Sequence, residues 1–133
     1  MTRQGLVAIV ALSLLLGACA SAPQRPVRTE FEDIPVPKGL AYQADDSSFI
    51  ETANVKAVRY VYRGRLEPES LATAIRGTLE ANGWRFMSST RTKEHGAIQV
   101  YEKEGDSLHV QVSEGLWYTY AEYSTGRVVK RPK

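Results

Sequence analysis

The sequence predicts a small two-layer α+β domain, one helix packed on an antiparallel sheet of about five strands in the order β-α-β-β-β-β. Three observations carry this. Residues 67–83 hold apolar side chains at helical spacing, with start and stop signals at either end. Runs rich in β-branched and aromatic residues lie before and after that stretch. The later runs are separated by short turns, which join successive strands into an antiparallel meander.

Val55 to Arg65 is the first clear strand, dominated by valine and tyrosine and ended at Gly64. Its alternation sets Val58, Tyr60 and Tyr62 on one face and Arg59, Val61 and Arg63 on the other. Ser48 to Thr52 reads as a further short edge strand at the N-terminal side. Glu67-Pro68-Glu69 opens the helix, with proline at the first helical position and acids facing the helix dipole. Leu71, Ala74, Ile75, Thr78 and Leu79 form the expected buried stripe, and Asn82-Gly83 closes it.

Four strands are expected after the helix. Trp84 to Arg91 sets Trp84, Phe86 and Ser88 on one side, and Ala97 to Lys103 sets Ile98 and Val100 together. Ser107 to Ser113 alternates cleanly, with Leu108, Val110 and Val112 inward and His109, Gln111 and Ser113 outward. Leu116 to Tyr123 carries aromatic residues on both faces, as expected of a strand that touches the core on one side and something else on the other.

Composition narrows the function classes. The chain has 133 residues, 43% hydrophobic and 24% charged, so it is one folded domain and not a disordered chain. Its formal charge of +2 is too small to predict nucleic acid as a partner. A single cysteine excludes a disulfide framework and a cysteine-based structural zinc site. No Gly-rich phosphate loop, HExxH or GxSxG motif occurs. His95 falls in an expected turn and His109 on the solvent side of a strand, with no Ser or Cys nucleophile at a useful spacing. Glu102, Glu104 and Asp106 flank the turn at Gly105 and read as charges that keep a hairpin soluble. No catalytic residue, metal or cofactor is implied.

The N-terminus is more telling. Arg3 precedes an eleven-residue run, Leu6 to Leu16, that is apolar except for Ser13. A membrane-spanning helix needs about twenty apolar residues, whereas this length suits a signal-peptide core. The run ends in Leu16-Gly17-Ala18-Cys19, which resembles a bacterial lipobox. That resemblance implies removal of residues 1–18, diacylglycerol on the Cys19 thiol and acylation (typically palmitate) of the new amine. Two or more acyl chains hold a protein stably on a membrane. Ala20, not Asp, follows the cysteine, and the enterobacterial sorting pattern then implies the outer membrane, at its periplasmic face. Cleavage removes Arg3, leaving sixteen basic and fifteen acidic side chains over 115 residues, close to neutral.

The expected organisation follows. Residues 19–32 are the lipidated cysteine and a tether rich in Ala, Ser, Pro and Arg; residues 33–124 are the domain; residues 125–133 are a basic tail. Asp33-Ile34-Pro35-Val36-Pro37 is stiffened by its prolines and is expected to lie along the domain. The lipobox, that segment, Tyr62-Arg63-Gly64 and Asn82-Gly83-Trp84 together resemble small proteobacterial lipoproteins of unknown function. This resemblance implies an envelope-facing single domain and lends no activity.

Two surface candidates remain. Arg59, Arg63 and Arg65, placed together by strand alternation, offer guanidinium forks for a carboxylate or phosphate. Trp117, Tyr118, Tyr120 and Tyr123 offer exposed aromatic area, since the core uses only one face of their strand. The functional expectation is a lipid-anchored, non-catalytic module that binds another envelope protein. The alternative is a binding module for peptidoglycan or another anionic envelope polymer.

Overall fold

The computed structural model describes residues 31, 34–93 and 96–129. The expected signal segment, Cys19, the tether up to residue 30, His95 and residues 130–133 lie outside the described residues. Among those described, the elements run β1 (Ala41–Tyr42), β2 (Ser48–Glu51), β3 (Val55–Gly64), α1 (Pro68–Ala81), β4 (Arg85–Arg91), β5 (Ala97–Lys103), β6 (Asp106–Glu114) and β7 (Thr119–Val128). The architecture is the expected one, a helix on an antiparallel sheet, but the sheet has seven strands and not five.

The strand order is β1-β3-β7-β6-β5-β4, with β2 also on β3. The meander β4 to β7 is therefore completed by the first long strand, which pairs with the last. β1 and β2 share the remaining edge of β3, opposite Tyr62–Arg63 and Lys56–Arg59 respectively. Between them the Val61 carbonyl accepts from Gln43 N at 2.8 Å, and Val61 N donates to Ser47 Oγ at 2.9 Å. That edge is thus covered along its length, which removes a template for aggregation.

The helix forms for the reasons its ends suggest. Glu67 is the N-cap, its carboxylate accepting from Glu69 N at 2.9 Å and Ser70 N at 2.7 Å, and these bonds hold its pKa below the ordinary carboxylate range. At the other end Trp84 N donates to Leu79 O and Gly83 N to Glu80 O, the paired bonds of a Schellman turn. The buried stripe is Leu71, Ala72, Ile75 and Leu79; Ala74 is exposed and Thr78 half-buried, contrary to expectation. The stripe is rotated toward Ala72, whose carbonyl accepts from the buried Gln99 amide at 3.1 Å.

Helix α1 packs on β4, β5 and β6. The inner face there is Phe86, then Gln99 and Tyr101, then Leu108, Val110 and Val112, the last three as expected. Ile98 and Val100 turn outward, and Gln99 is tolerated inside because its oxygen also accepts from Tyr101 Oη at 2.9 Å. A bulge between Phe86 and Ser88 resets β4, so Ser89 and not Ser88 lies opposite Gln99.

The other half of the inner face, on β3 and β7, is covered by an N-terminal strap. Phe31 and Ile34 join the core cluster that holds Val58, Ala121 and Tyr123, with Val36 and Leu40 packed against it. The proline-stiffened segment does lie along the domain, and among the described residues the core already includes Phe31, inside the span expected to be tether. At the opposite boundary β7 runs to Val128 and Thr125 is buried, so residues 125–128 belong to the sheet and not to a tail.

Phe31 is 1% exposed. Phe31→Ala should therefore lower unfolding free energy by about 3–5 kcal/mol in urea titrations of the domain; a loss under about 1 kcal/mol would mean the strap is not part of the core.

Candidate interaction site

The β6–β7 turn gathers most of the expected surface residues. Gly115 N donates to Tyr118 O at 2.8 Å, closing the turn. A Cβ at Gly115 would lie 2.7 Å from the Tyr120 ring, so only glycine fits there. The turn pushes Leu116 and Trp117 into solvent, 90% and 78% exposed. β7 begins at Thr119, and Thr119 Oγ1 donates to the Leu66 carbonyl, tying the strand start to the loop that carries Arg65.

Two guanidinium groups stack on the turn. Arg63 Cζ lies 4.5 Å from the centroid of the Tyr118 ring and Arg65 Cζ 5.5 Å from it. Tyr120 is opposite Arg63 in the ladder and so shares its face of the sheet. Such stacking contributes about 0.5–1 kcal/mol per exposed pair and fixes the orientation of long side chains.

The charge inventory sets this place apart. Seven arginines are among the described residues. Five have carboxylate partners: Arg59 with Glu122, Arg76 with Glu80, Arg85 with Glu102, Arg91 with Glu69 and Arg127 with Asp106. Arg63 and Arg65 are the two without one among the described residues, and both lie on Tyr118. Their hydrogen-bonding edges remain open to an anion.

The structure thus joins part of each expected set and discards part. Arg59 leaves the arginine set: its Nε and Nη2 each bind Glu122 Oε2 at 2.8 Å, and its Nη1 donates to Asp46 O at 2.7 Å. Tyr123 leaves the aromatic set, being 1% exposed and part of the core. Trp117 and Tyr123 do not share a strand face, because residues 116–118 form the turn. His109 is exposed opposite Ser124, and Glu102 and Asp106 serve as ion-pair partners. Exposed Leu116 was the residue missed; the Gly115 turn signal ahead of it was the available clue.

No protein-family model, curated protein or solved structure matches the chain.

The tyrosines on the inner face of the sheet form a separate, structural group. Tyr62 meets Tyr123 edge-on at 5.5 Å and Tyr42 at 5.5 Å. Burial raises the Tyr123 phenol strongly and pushes Tyr101 up to about 12; burial, then Tyr60 and Tyr42, raise Tyr62. Unfolded phenols ionise near pH 10, so the folded state holds protons the unfolded state loses, and stability should be flat below about pH 10 and fall above it. Urea midpoints across pH 8–12 check this, alongside phenolate absorbance. Ionisation of every tyrosine near pH 10 in the folded protein would contradict it.

Proposed function

We propose that the chain is a bacterial envelope lipoprotein, anchored through Cys19 at the periplasmic face of the outer membrane, whose domain is a non-catalytic protein-interaction module. The observation that carries the reading is the patch at the β6–β7 turn: Arg63 and Arg65 stacked on Tyr118 without carboxylate partners among the described residues, beside exposed Leu116 and Trp117. Tryptophan, tyrosine and arginine are the residues that most often dominate interface energetics. Here the arginines are held in place before binding, which lowers the entropic cost of ordering them. Their free edges call for an acidic partner surface, with Trp117 and Leu116 supplying apolar area around the ion pairs.

A second reading follows from the same guanidinium groups. Their forks also suit the carboxylates of peptidoglycan or another anionic envelope polymer. The two differ in salt response: a polymer held by charge is released by salt, whereas a contact centred on Trp117 persists.

A photo-crosslinker placed at Trp117 in growing cells tests the reading. The expected result is a discrete protein adduct that disappears when Arg63 and Arg65 are both replaced by Glu. Adducts that carry cell-wall fragments would favour the polymer, and a protein adduct indifferent to the two arginines would contradict the patch as the contact surface.

A further inference from the structure

We infer that the domain is held at one end of its sheet and presents the patch from the other, so that its partner is an acidic protein surface out in the periplasm and not the anchoring bilayer. The inference rests on the proposed anchor at Cys19 and on the patch as the interaction surface, and it deepens that reading by fixing the side from which the partner approaches.

The strap gives the direction. Arg127, near the end of β7, stacks over the Phe31 ring at 4.9 Å and is tied to Asp106 at the start of β6. From Phe31 the strap crosses the inner face to Gly39 and Leu40, which lie against Gly64; a Cβ there would come within 2.5 Å of the Gly39 carbonyl. Gly64 is paired with Thr119, the first residue of β7. The strap therefore spans the sheet from the Arg127 end to the Thr119 end. Eight residue steps separate those ends, about 27 Å along the strand. The patch is at the Thr119 end, and the chain arrives at the Arg127 end.

The length of the preceding segment points the same way. Cys19 lies twelve steps before Phe31, at most about 42 Å at full extension. To lay Leu116 and Trp117 on the anchoring bilayer, that segment would have to run back along about 27 Å of sheet, about two-thirds of its full reach. Charge is distributed to match. At the Arg127 end the ion pairs Arg127–Asp106 and Lys56–Glu51 are closed. Val129, at that end, is followed in the sequence by Lys130, Arg131 and Lys133, basic residues suited to anionic headgroups. The guanidinium groups without carboxylate partners among the described residues are at the far end, where an acidic partner would meet them.

Energy transfer to lipid headgroups tests the orientation. The lipidated full-length mature protein is placed in phosphatidylethanolamine–phosphatidylglycerol vesicles that carry a dansyl-labelled lipid. Trp117 is read as the difference between the wild type and Trp117→Phe, with buried Trp84 as common background. Val129→Trp in the Trp117→Phe protein reports the other end. Greater transfer from position 129 than from position 117 is expected. Equal transfer, or greater transfer from Trp117, would overturn the inference. Should Val129→Trp not fold, a dansyl label on an Asn54→Cys variant, whose carbonyl accepts from Val129 N, is compared with one on Leu116→Cys in vesicles of quenching lipid; stronger quenching at position 54 is expected, and equal or weaker quenching there would overturn the inference. The underlying reading fails separately: a Cys19→Ser protein beginning at residue 19, without the Leu6–Leu16 run, would then still bind vesicles, or the Trp117 crosslink would ignore the arginines, whatever the transfer order.

Discussion

Ten residues of β3 pair with ten of β7, from Val55 opposite Val128 to Gly64 opposite Thr119. The rest of the structure depends on this ladder. A meander alone would leave β4 and β7 as two open edges; adding the first long strand to the last leaves the β7 edge closed and moves the exposed edge to β3, where β1 and β2 cover it. The same pairing carries Arg63 and Arg65, which are fifty or more residues from the β6–β7 turn in sequence, up against Tyr118. Without it the patch has aromatic residues and no cations.

The ladder also creates the need for the strap. A helix with its side chains is about 10–12 Å across, and strands lie about 4.8 Å apart, so one helix shields two to three strands. α1 takes β4, β5 and β6. Val58, Ala121 and Tyr123 on β3 and β7 need a second cover, and Phe31, Ile34, Val36 and Leu40 provide it. Two prolines suit a cover that makes no ladder of its own, since each removes a donor that would otherwise need a partner. The strap thus has a structural reason to exist, and its direction has a functional consequence, because it fixes which end of the sheet faces the chain's N-terminal segment.

What could be read from the sequence was local. The helix was marked by Pro68 and Asn82-Gly83, and β6 by strict alternation of Leu108, Val110 and Val112, all signals contained within one element. What escaped depended on distant partners. β1 is two residues long and exposed, and is a strand only because Tyr62 and Arg63 pair with it. Gln99 looks like a surface residue until Ala72 and Tyr101 satisfy its amide. Alternation grouped Arg59 with Arg63 correctly as to face, but Glu122, sixty-three residues away, removes Arg59 from the site. The candidate site was legible as two lists of residues; that they form one place was not, because their meeting is a property of the β3–β7 register.

Two cations are held against one ring, and no ion pair neutralises them among the described residues. Nuclear magnetic resonance of the side chains tests that directly. The tyrosine ring current should move the Arg63 and Arg65 δ-methylene protons upfield, and Tyr118→Leu should return both to ordinary positions while Tyr120→Leu does not. Ordinary shifts for both arginines in the wild-type protein would contradict the account.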